Sequence, residues 1–544
     1  MQKKLIYIFL FVFVTAITLY SCTKKIDEAY LNPNADTKKP IEELLPGIIA
    51  NMTINGSAQG SLYGTQNDLL YIGRYVQYWA TNSTGNQYDQ MGTATWNSFH
   101  SIMGAHWAAH YYGAGNNLNK MIEWGIDEKK WDYVGVGYAI RAWSWLTLTN
   151  LYGEVILKTA FEDRLTFPYD SQEEVYTEVR KLCHTSLAFL NKTGDNVNQA
   201  NLAKGDQYMN GGDVNKWKKF VYGVLARSFN QLTNKADYNP DSVIHYCNLS
   251  ISSNAENTSA KWSNSGVNHT YSYFSPFRGN LNALRQGRFI AELLSGANPE
   301  FPVSVNDPRA PYMLQENIAG TYKGIRPNKG SDGLSANELP NNFYGGPWST
   351  SAPPTHDTTA RYIFKNAPIW PIISASEIQF IKAEALYKKG DKASALAAYT
   401  RAINLNFDQL TADYETSVPA SKRMTTATKA AYLSNPNVIP TNPNNLTLSK
   451  IMLQKYIALY GWGGIETWVD LRRYHYDLDM ENGNPVYRNF STPPVAELYA
   501  NNKQKVVQRC FPRGASEIYN LPELTKIGGN LTDYHTKECW FSQR

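Results

Sequence analysis

Histidines 106 and 110 stand four apart in a stretch of helical pattern, the spacing at which two imidazoles share one helix face and can hold zinc. A metalloprotease needs a glutamate directly after the first of them, and Trp107 stands there, so the pair reads as helix packing. Gly135-Val136-Gly137 lacks the third glycine of a dinucleotide fingerprint and lies inside a helical pattern, not behind a strand. The sequence contains no nucleophile elbow and no phosphate-binding Walker loop. Glu173-Glu174 and Asp127-Glu128 read as helix starts, where the macrodipole favours negative charge. A glycosidase pair is set by distance in space, so a hydrolase stays open as the alternative, but no motif supports catalysis. The expectation is a binding protein with no catalytic residue, cofactor or metal.

The residues left to carry function are aromatic. Trp 14, Tyr 37 and Phe 20 make up 13% of the 544 residues, and most of these rings carry a polar handle suited to half-wet surfaces. Several fall in segments without helical periodicity. Trp79 and Tyr88 flank a Thr/Asn/Gly-rich stretch; Trp262, Tyr271, Tyr273, Phe274 and Arg278 crowd a second segment; Tyr344 and Trp348 lie around Gly345-Gly346-Pro347. An exposed ring can take the C–H face of a sugar while Asn, Gln and Arg meet its hydroxyls, and a peptide can use the same rings. As a group these residues are the expected ligand site, Trp348 and Tyr273 foremost. The competing reading is that the rings pin down long loops.

The elements that must position them are helices. Ser171-x-x-Glu174 and Ser374-x-x-Glu377 have the capping-box spacing, and apolar residues then recur at helical intervals. Gly390 supplies a left-handed stop, and a second helix, Lys392 to Leu405, follows at once. Within this pair, Ala383, Leu386, Ala395, Tyr399 and Ala402 match a tetratricopeptide repeat. Trp131–Leu151 with Ser171–Leu190, and Lys216–Leu232 with Pro240–Ile251, give looser pairs that must stack to bury their faces. The fold class expected is mainly α: a tetratricopeptide-like helical-repeat scaffold with minor β hairpins. Its long loop insertions fall at about 255–368 and 408–446, with a shorter one at 81–95.

Lys+Arg 52 against Asp+Glu 47 leaves a net charge of +5, spread in short pairs among acids, without the dense stripe that binds nucleic acid. At the N-terminus, Lys3-Lys4 precede an apolar run to Leu19, and Leu19-Tyr20-Ser21-Cys22 resembles a bacterial lipobox. Residues 1–21 then form a lipoprotein signal peptide, Cys22 carries acyl chains that hold the protein to the bilayer, and 22–544 is the mature domain. Lys24-Lys25-Ile26-Asp27-Glu28 resembles a signal for export to the cell surface. Of the other cysteines, Cys183 and Cys247 fit buried thiols, and Cys510 with Cys539 is the better disulfide candidate.

Several stretches in order along the chain resemble the SusD/RagB family of outer-membrane nutrient-binding lipoproteins. They are the lipobox, Arg141 to Glu154 (RAWSWLTLTNLYGE), Asp307-Pro308-Arg309, the tetratricopeptide-like pair, and Gln454-Lys455-Tyr456 running into Trp468-Val-Asp470-Leu-Arg472-Arg473. The family often continues with Gly and Pro, where this chain has Tyr474-His475-Tyr476-Asp477. Asp470 and Arg472-Arg473 read as ties between the final helices, and Tyr152-Gly153-Glu154 as a helix exit. The resemblance implies a lipid-anchored surface protein that captures a glycan or peptide and delivers it to a SusC-like TonB-dependent outer-membrane channel. Other classes left open are a hydrolase or a structural scaffold. Cys22→Ala should leave the precursor unprocessed or free the protein from membranes, read by fractionation and palmitate labelling; a mutant still processed and membrane-bound overturns the lipidation.

Overall fold

Ser171 Oγ accepts the Glu174 N–H at 3.3 Å and the Glu174 carboxylate takes the Ser171 N–H at 3.0 Å, the reciprocal capping that the spacing predicts. The chain is seen in a computed structural model that describes residues 38–56, 62–93, 103–265, 270–302, 307–350, 356–476, 480–481 and 483–544. Cys22, the signal segment, Lys24 to Glu28 and Asp477 lie outside the described residues. The molecule is mainly helical, with minor antiparallel sheets of two strands each among the described residues.

The principal helices are α1 (Ile41–Thr53), α2 (Thr65–Tyr75), α3 (Gly115–Asp127), α4 (Trp131–Tyr152), α5 (Gln172–Leu190), α6 (Val214–Asn230) and α7 (Pro240–Leu249). They continue with α8 (Arg288–Ser295), α9 (Ala375–Lys389), α10 (Lys392–Tyr414), α11 (Leu448–Ala458) and α12 (Gly464–Arg473). Each of α3, α4, α5, α6, α7, α9 and α10 packs on the next, so the three pairs read from the sequence form one stack. Asp127 and Glu128 close α3 instead of opening a helix, a correction to the reading from charge alone.

Ser374 caps α9 through the Glu377 N–H at 3.2 Å, but Glu377 does not return the bond. Its carboxylate is buried and accepts from Arg227 of α6 at 2.7 and 2.8 Å, a charge-assisted pair that outcompetes a cap N–H. Gly390 ends α9 at φ +90°, as its position predicts. The next helix outruns its predicted end: α10 continues to Tyr414, and Thr426–Leu433 forms another helix inside the 408–446 insertion. Tyr414 drives this extension, being buried with its hydroxyl donating to the Ile369 carbonyl at 2.6 Å.

Short strands fasten the insertions to the helices. β1 (Trp79–Thr81) pairs antiparallel with β3 (Leu284–Gln286), placing Trp79 opposite Gln286. β2 (Thr258–Lys261) pairs with β4 (Ile369–Ile373), with a bulge at Thr258/Ser259.

Beneath α9, α11 and α12 lies a fully buried ion network. Arg473 donates to Glu384 at 2.6 and 2.8 Å and to Asp470 at 2.8 Å, while Lys455 pairs with Asp470 at 2.8 Å. Arg309 donates to Asp307, Gln454 and Asn406 and has no exposed surface. Arg472 lies over Trp468 at 3.8 Å and donates to the Gln508 carbonyl at 2.8 Å. Asp470, Arg472 and Arg473 are therefore ties, as read from the sequence. The turn that follows puts His475 and Tyr476 at φ +50° and +59°, held by the Trp468 indole donating to the Tyr476 hydroxyl at 2.9 Å.

The cysteine expectation needs correction. Cys510 and Cys539 are buried free thiols, both beside Arg472, and the Arg472 guanidinium donates to Cys539 Sγ at 3.5 Å. Cys183 and Cys247 are buried and free, as expected.

Two outcomes follow from the buried charges. Glu384→Gln leaves Arg473 short of its main counter-charge in a dry site and should cost about 3–5 kcal/mol in chemical denaturation; a loss below about 1 kcal/mol would show the network to be dispensable. At the α4 exit, Gly153 stands at φ +80° and Glu154 pairs with Arg509 and with Lys537. Burial alone would raise the Glu154 carboxyl, but those two cations hold it down at about 2. A depressed carboxyl stabilises the fold above its unfolded value and stops doing so once protonated in the native state. The stability difference between wild type and Glu154→Gln should thus be full at neutral pH, shrink below about 4.5, and vanish near 2.

Candidate ligand-binding surface

Trp79, first of β1, is wholly buried against α2, its indole donating to the Leu70 carbonyl at 2.9 Å. Its ring meets Phe274 at 5.5 Å and Phe343 at 6.0 Å; Phe274 meets Trp370 at 5.5 Å, and Trp370 meets Trp262 at 6.0 Å. Trp79, Phe274 and Trp262, from two distant segments, therefore come together through Trp370 as one continuous aromatic spine. Edge-to-face contacts of this kind stabilise by about 0.5–1.5 kcal/mol each beyond area burial.

That burial corrects the expectation of exposed rings. Trp79, Tyr88, Tyr271, Tyr273, Phe274 and Tyr344 are each at most 5% exposed. They pin loops because short strands and turns alone leave these segments without a core. The Tyr344 hydroxyl accepts from the Leu281 N–H at 3.2 Å, and Tyr271 packs on Phe277 at 4.8 Å. Tyr88 lies apart from the spine, edge-on to Tyr75 at 5.6 Å with its N–H donating to Asn328. Of the expected residues, Trp262, Arg278 and Trp348 keep a partly open face.

At one edge of the spine a polar group of residues meets the surface. The Tyr273 hydroxyl donates to Asn67 Oδ1 of α2 at 3.3 Å, and the Arg278 guanidinium lies 5.6 Å from the Tyr273 ring centre. Tyr71, one turn beyond Asn67 on α2, is half-buried, and Arg74 stacks over it at 5.0 Å. Arg278 is half-buried, and its Nη1 finds no acceptor among the described residues. Burial lowers its pKa from the usual guanidinium value, with only the Tyr273 phenol acting the other way. Phe277, beside it in the chain, is 48% exposed.

Trp348 is carried by a second arginine. Arg285 of β3 is fully buried, donates to the Asn282 and Leu284 carbonyls at 2.8 Å, holds the Trp348 carbonyl, and lies 5.3 Å from the Trp348 ring centre. Desolvation with no carboxylate beside it lowers its pKa to about 10. Asn67, Tyr71 and Phe277 escaped the sequence reading. Phe277 stood in the second insertion, between Pro276 and Arg278, and was detectable there; Asn67 and Tyr71 belong to a helical pattern that reads as core.

His106 and His110 are buried against Ser144 of α4, at 3.3 Å to its carbonyl and 2.7 Å to its hydroxyl, the packing role expected of them. Burial drives the His106 imidazole down to about 4. Among the described residues no cluster of His, Cys, Asp and Glu is arranged to hold a metal, and no helix is long and apolar enough to cross a membrane.

Solved structures resemble this chain across nearly all of its length. A SusD/RagB family protein from Bacteroides thetaiotaomicron is 18% identical with a TM-score of 0.65, over 93% of this chain and 99% of that one. A chitin-binding protein is 17% identical with a TM-score of 0.65, over 93% and 100%. A chitin-binding SusD homologue from Flavobacterium johnsoniae is 18% identical with a TM-score of 0.63, over 92% and 98%. At such identities the likeness establishes the fold. No curated protein sequence matches. The SusD-like family described as starch-binding and associating with the outer membrane matches residues 33–497, most of the chain, and this protein belongs to that family.

Proposed function

We propose that this protein captures an oligomeric glycan at the cell surface and passes it to a TonB-dependent outer-membrane channel, acting as a binding protein and not as an enzyme. The observation that carries the reading is the half-buried Arg278 with an unsatisfied Nη1, set beside Tyr273, Asn67 and Tyr71. A sugar presents an apolar C–H face and a ring of hydroxyls. Partly open rings take the first, and an arginine and an asparagine amide take the second. Trp348 and Trp262 are the other expected residues with an open face and are further candidate contacts for the ligand. The family's description and the chitin-binding neighbours point to the same ligand class. Anchoring through an acylated Cys22 would hold the protein at the membrane that carries such a channel.

In calorimetric titration with chito-oligosaccharides and malto-oligosaccharides, Arg278→Ala and Trp348→Ala should each weaken binding by about 1–2 kcal/mol, the range of a hot-spot truncation. Tyr88→Phe, away from the surface, should leave it unchanged. If both truncations bind the oligosaccharide as wild type does, the surface is elsewhere. New reducing ends on prolonged incubation would favour the hydrolase reading.

A further inference from the structure

A cleft of about 980 Å³ opens between α3, α4, α5 and the connection at 154–170, and neither the aromatic spine nor the Arg278 surface contributes to it. Its apolar wall is formed by Ile122, Tyr138, Trp145, Phe161 and Leu182. Arg141 of α4 also lines it, only 8% exposed. The guanidinium donates through Nη2 to the Gly115 carbonyl at 3.3 Å and to Asn119 Oδ1 at 2.6 Å, and Nε has no acceptor among the described residues. No carboxylate lies within ion-pair distance of it among the described residues. Phe161, half-buried on the connection, stacks on it at 5.0 Å. Desolvation lowers its pKa to about 10, so the cation stays charged at neutral pH without a counter-ion. His110 is held neutral by burial, with Arg141 beside it, and offers no negative charge.

The rim has the opposite sign. Glu123, Glu173 and Glu178 line the mouth. Glu123 pairs with Lys120 at 2.8 Å and Glu178 with Lys181 at 3.1 Å in solvent, Glu173 has no ion-pair partner among the described residues, and Lys158 is engaged with Asp170 at 3.1 Å and with Glu174. A buried unpaired cation below an acidic rim, separated by aromatic and aliphatic wall, is complementary to a molecule with a carboxylate at one end, an ammonium at the other and an apolar side chain between. A polyanion meets the acidic rim first, and a neutral sugar can accept hydrogen bonds from Arg141 but supplies no counter-charge to it and no cation to the rim. The volume suits a ligand of a few residues.

We propose that this cleft is a second binding site, which takes a zwitterion, a free apolar amino acid or the end of a short peptide, with its carboxylate on Arg141 and its amino group toward Glu173.

The test is calorimetric titration of the full chain in detergent with L-phenylalanine, the tripeptide Ala-Leu-Phe, its C-terminal amide and its N-acetyl form. The free acids should bind, with amidation weakening the tripeptide roughly tenfold or more, the worth of a charge-assisted hydrogen bond. N-acetylation should weaken it by a smaller factor that Glu173→Gln reproduces. A tighter tripeptide assigns the site to peptide ends, and equal affinities assign it to free amino acids. Arg141→Gln should abolish the preference for acid over amide; if that variant does not fold, Phe161→Ala, which uncovers the guanidinium, should still change the tripeptide affinity several-fold. Trp348→Ala should leave tripeptide binding unchanged, which separates this site from the glycan surface. Failure of the free acids to bind, equal binding of acid and amide, or galacturonic acid binding more tightly than the tripeptide overturns the proposal.

Discussion

The Arg473 guanidinium sits at the centre of a buried circuit that ties three helices through bonds no water can replace. Glu384 comes from the tetratricopeptide-like helix α9, Asp470 from α12, and Lys455 from α11 completes the circuit through Asp470. An ion pair taken wholly out of water gains only when every partner is present, so these helices can pack in one register alone. Arg227 repeats the device one layer away, joining α6 to Glu377 of α9 and to Glu466 of α12. Hydrophobic burial supplies the bulk of the stability, whereas these pairs set which faces meet.

That division explains what could be read from the sequence. Helices announce themselves locally, through apolar spacing, a capping serine or a terminal glycine, and α4, α5, α9 and the start of α10 lie where those signals put them. Asp470 and Arg472-Arg473 were legible as ties because several charges on an otherwise apolar helix require buried partners. Their partners were not legible, since Glu384 looks like any helical glutamate until α9 and α12 are brought together. The same blindness misassigned Glu377, whose cap spacing is right but whose carboxylate is claimed by an arginine 150 residues away in sequence.

The aromatic residues show the limit from the other side. The lack of helical periodicity in these loops predicts free rings, and the structure instead buries six of those expected at the ligand surface. A long insertion has no backbone ladder of its own, so it must be held by side chains, and large rings bury the most area for each residue ordered. Trp79, Phe274 and Trp370 therefore do for the insertions what leucines and alanines do for the helices. Of the expected residues, only Trp262, Arg278 and Trp348 remain in a position to meet solvent. They do so from a pre-formed framework, which lowers the ordering entropy that binding must overcome.

The arginines sort this protein's scaffold from its binding surfaces. Where a carboxylate is buried beside them, as for Arg227, Arg309 and Arg473, attraction overcomes desolvation and the pKa rises. Where none is present, as for Arg141, Arg278, Arg285 and Arg472, desolvation prevails and it falls. Within this second group each arginine keeps an N–H donor without an acceptor among the described residues, and what differs is access. Arg285 directs its Nη groups to loop carbonyls, and Arg472 is sealed against Trp468 and Phe541 with no exposed surface, so neither can receive a ligand. Arg278 and Arg141 instead stand where the protein opens, one on the surface beside half-open rings and one in a cleft. An uncompensated buried cation is costly to fold around, and both of these lie where a ligand could supply the missing acceptor.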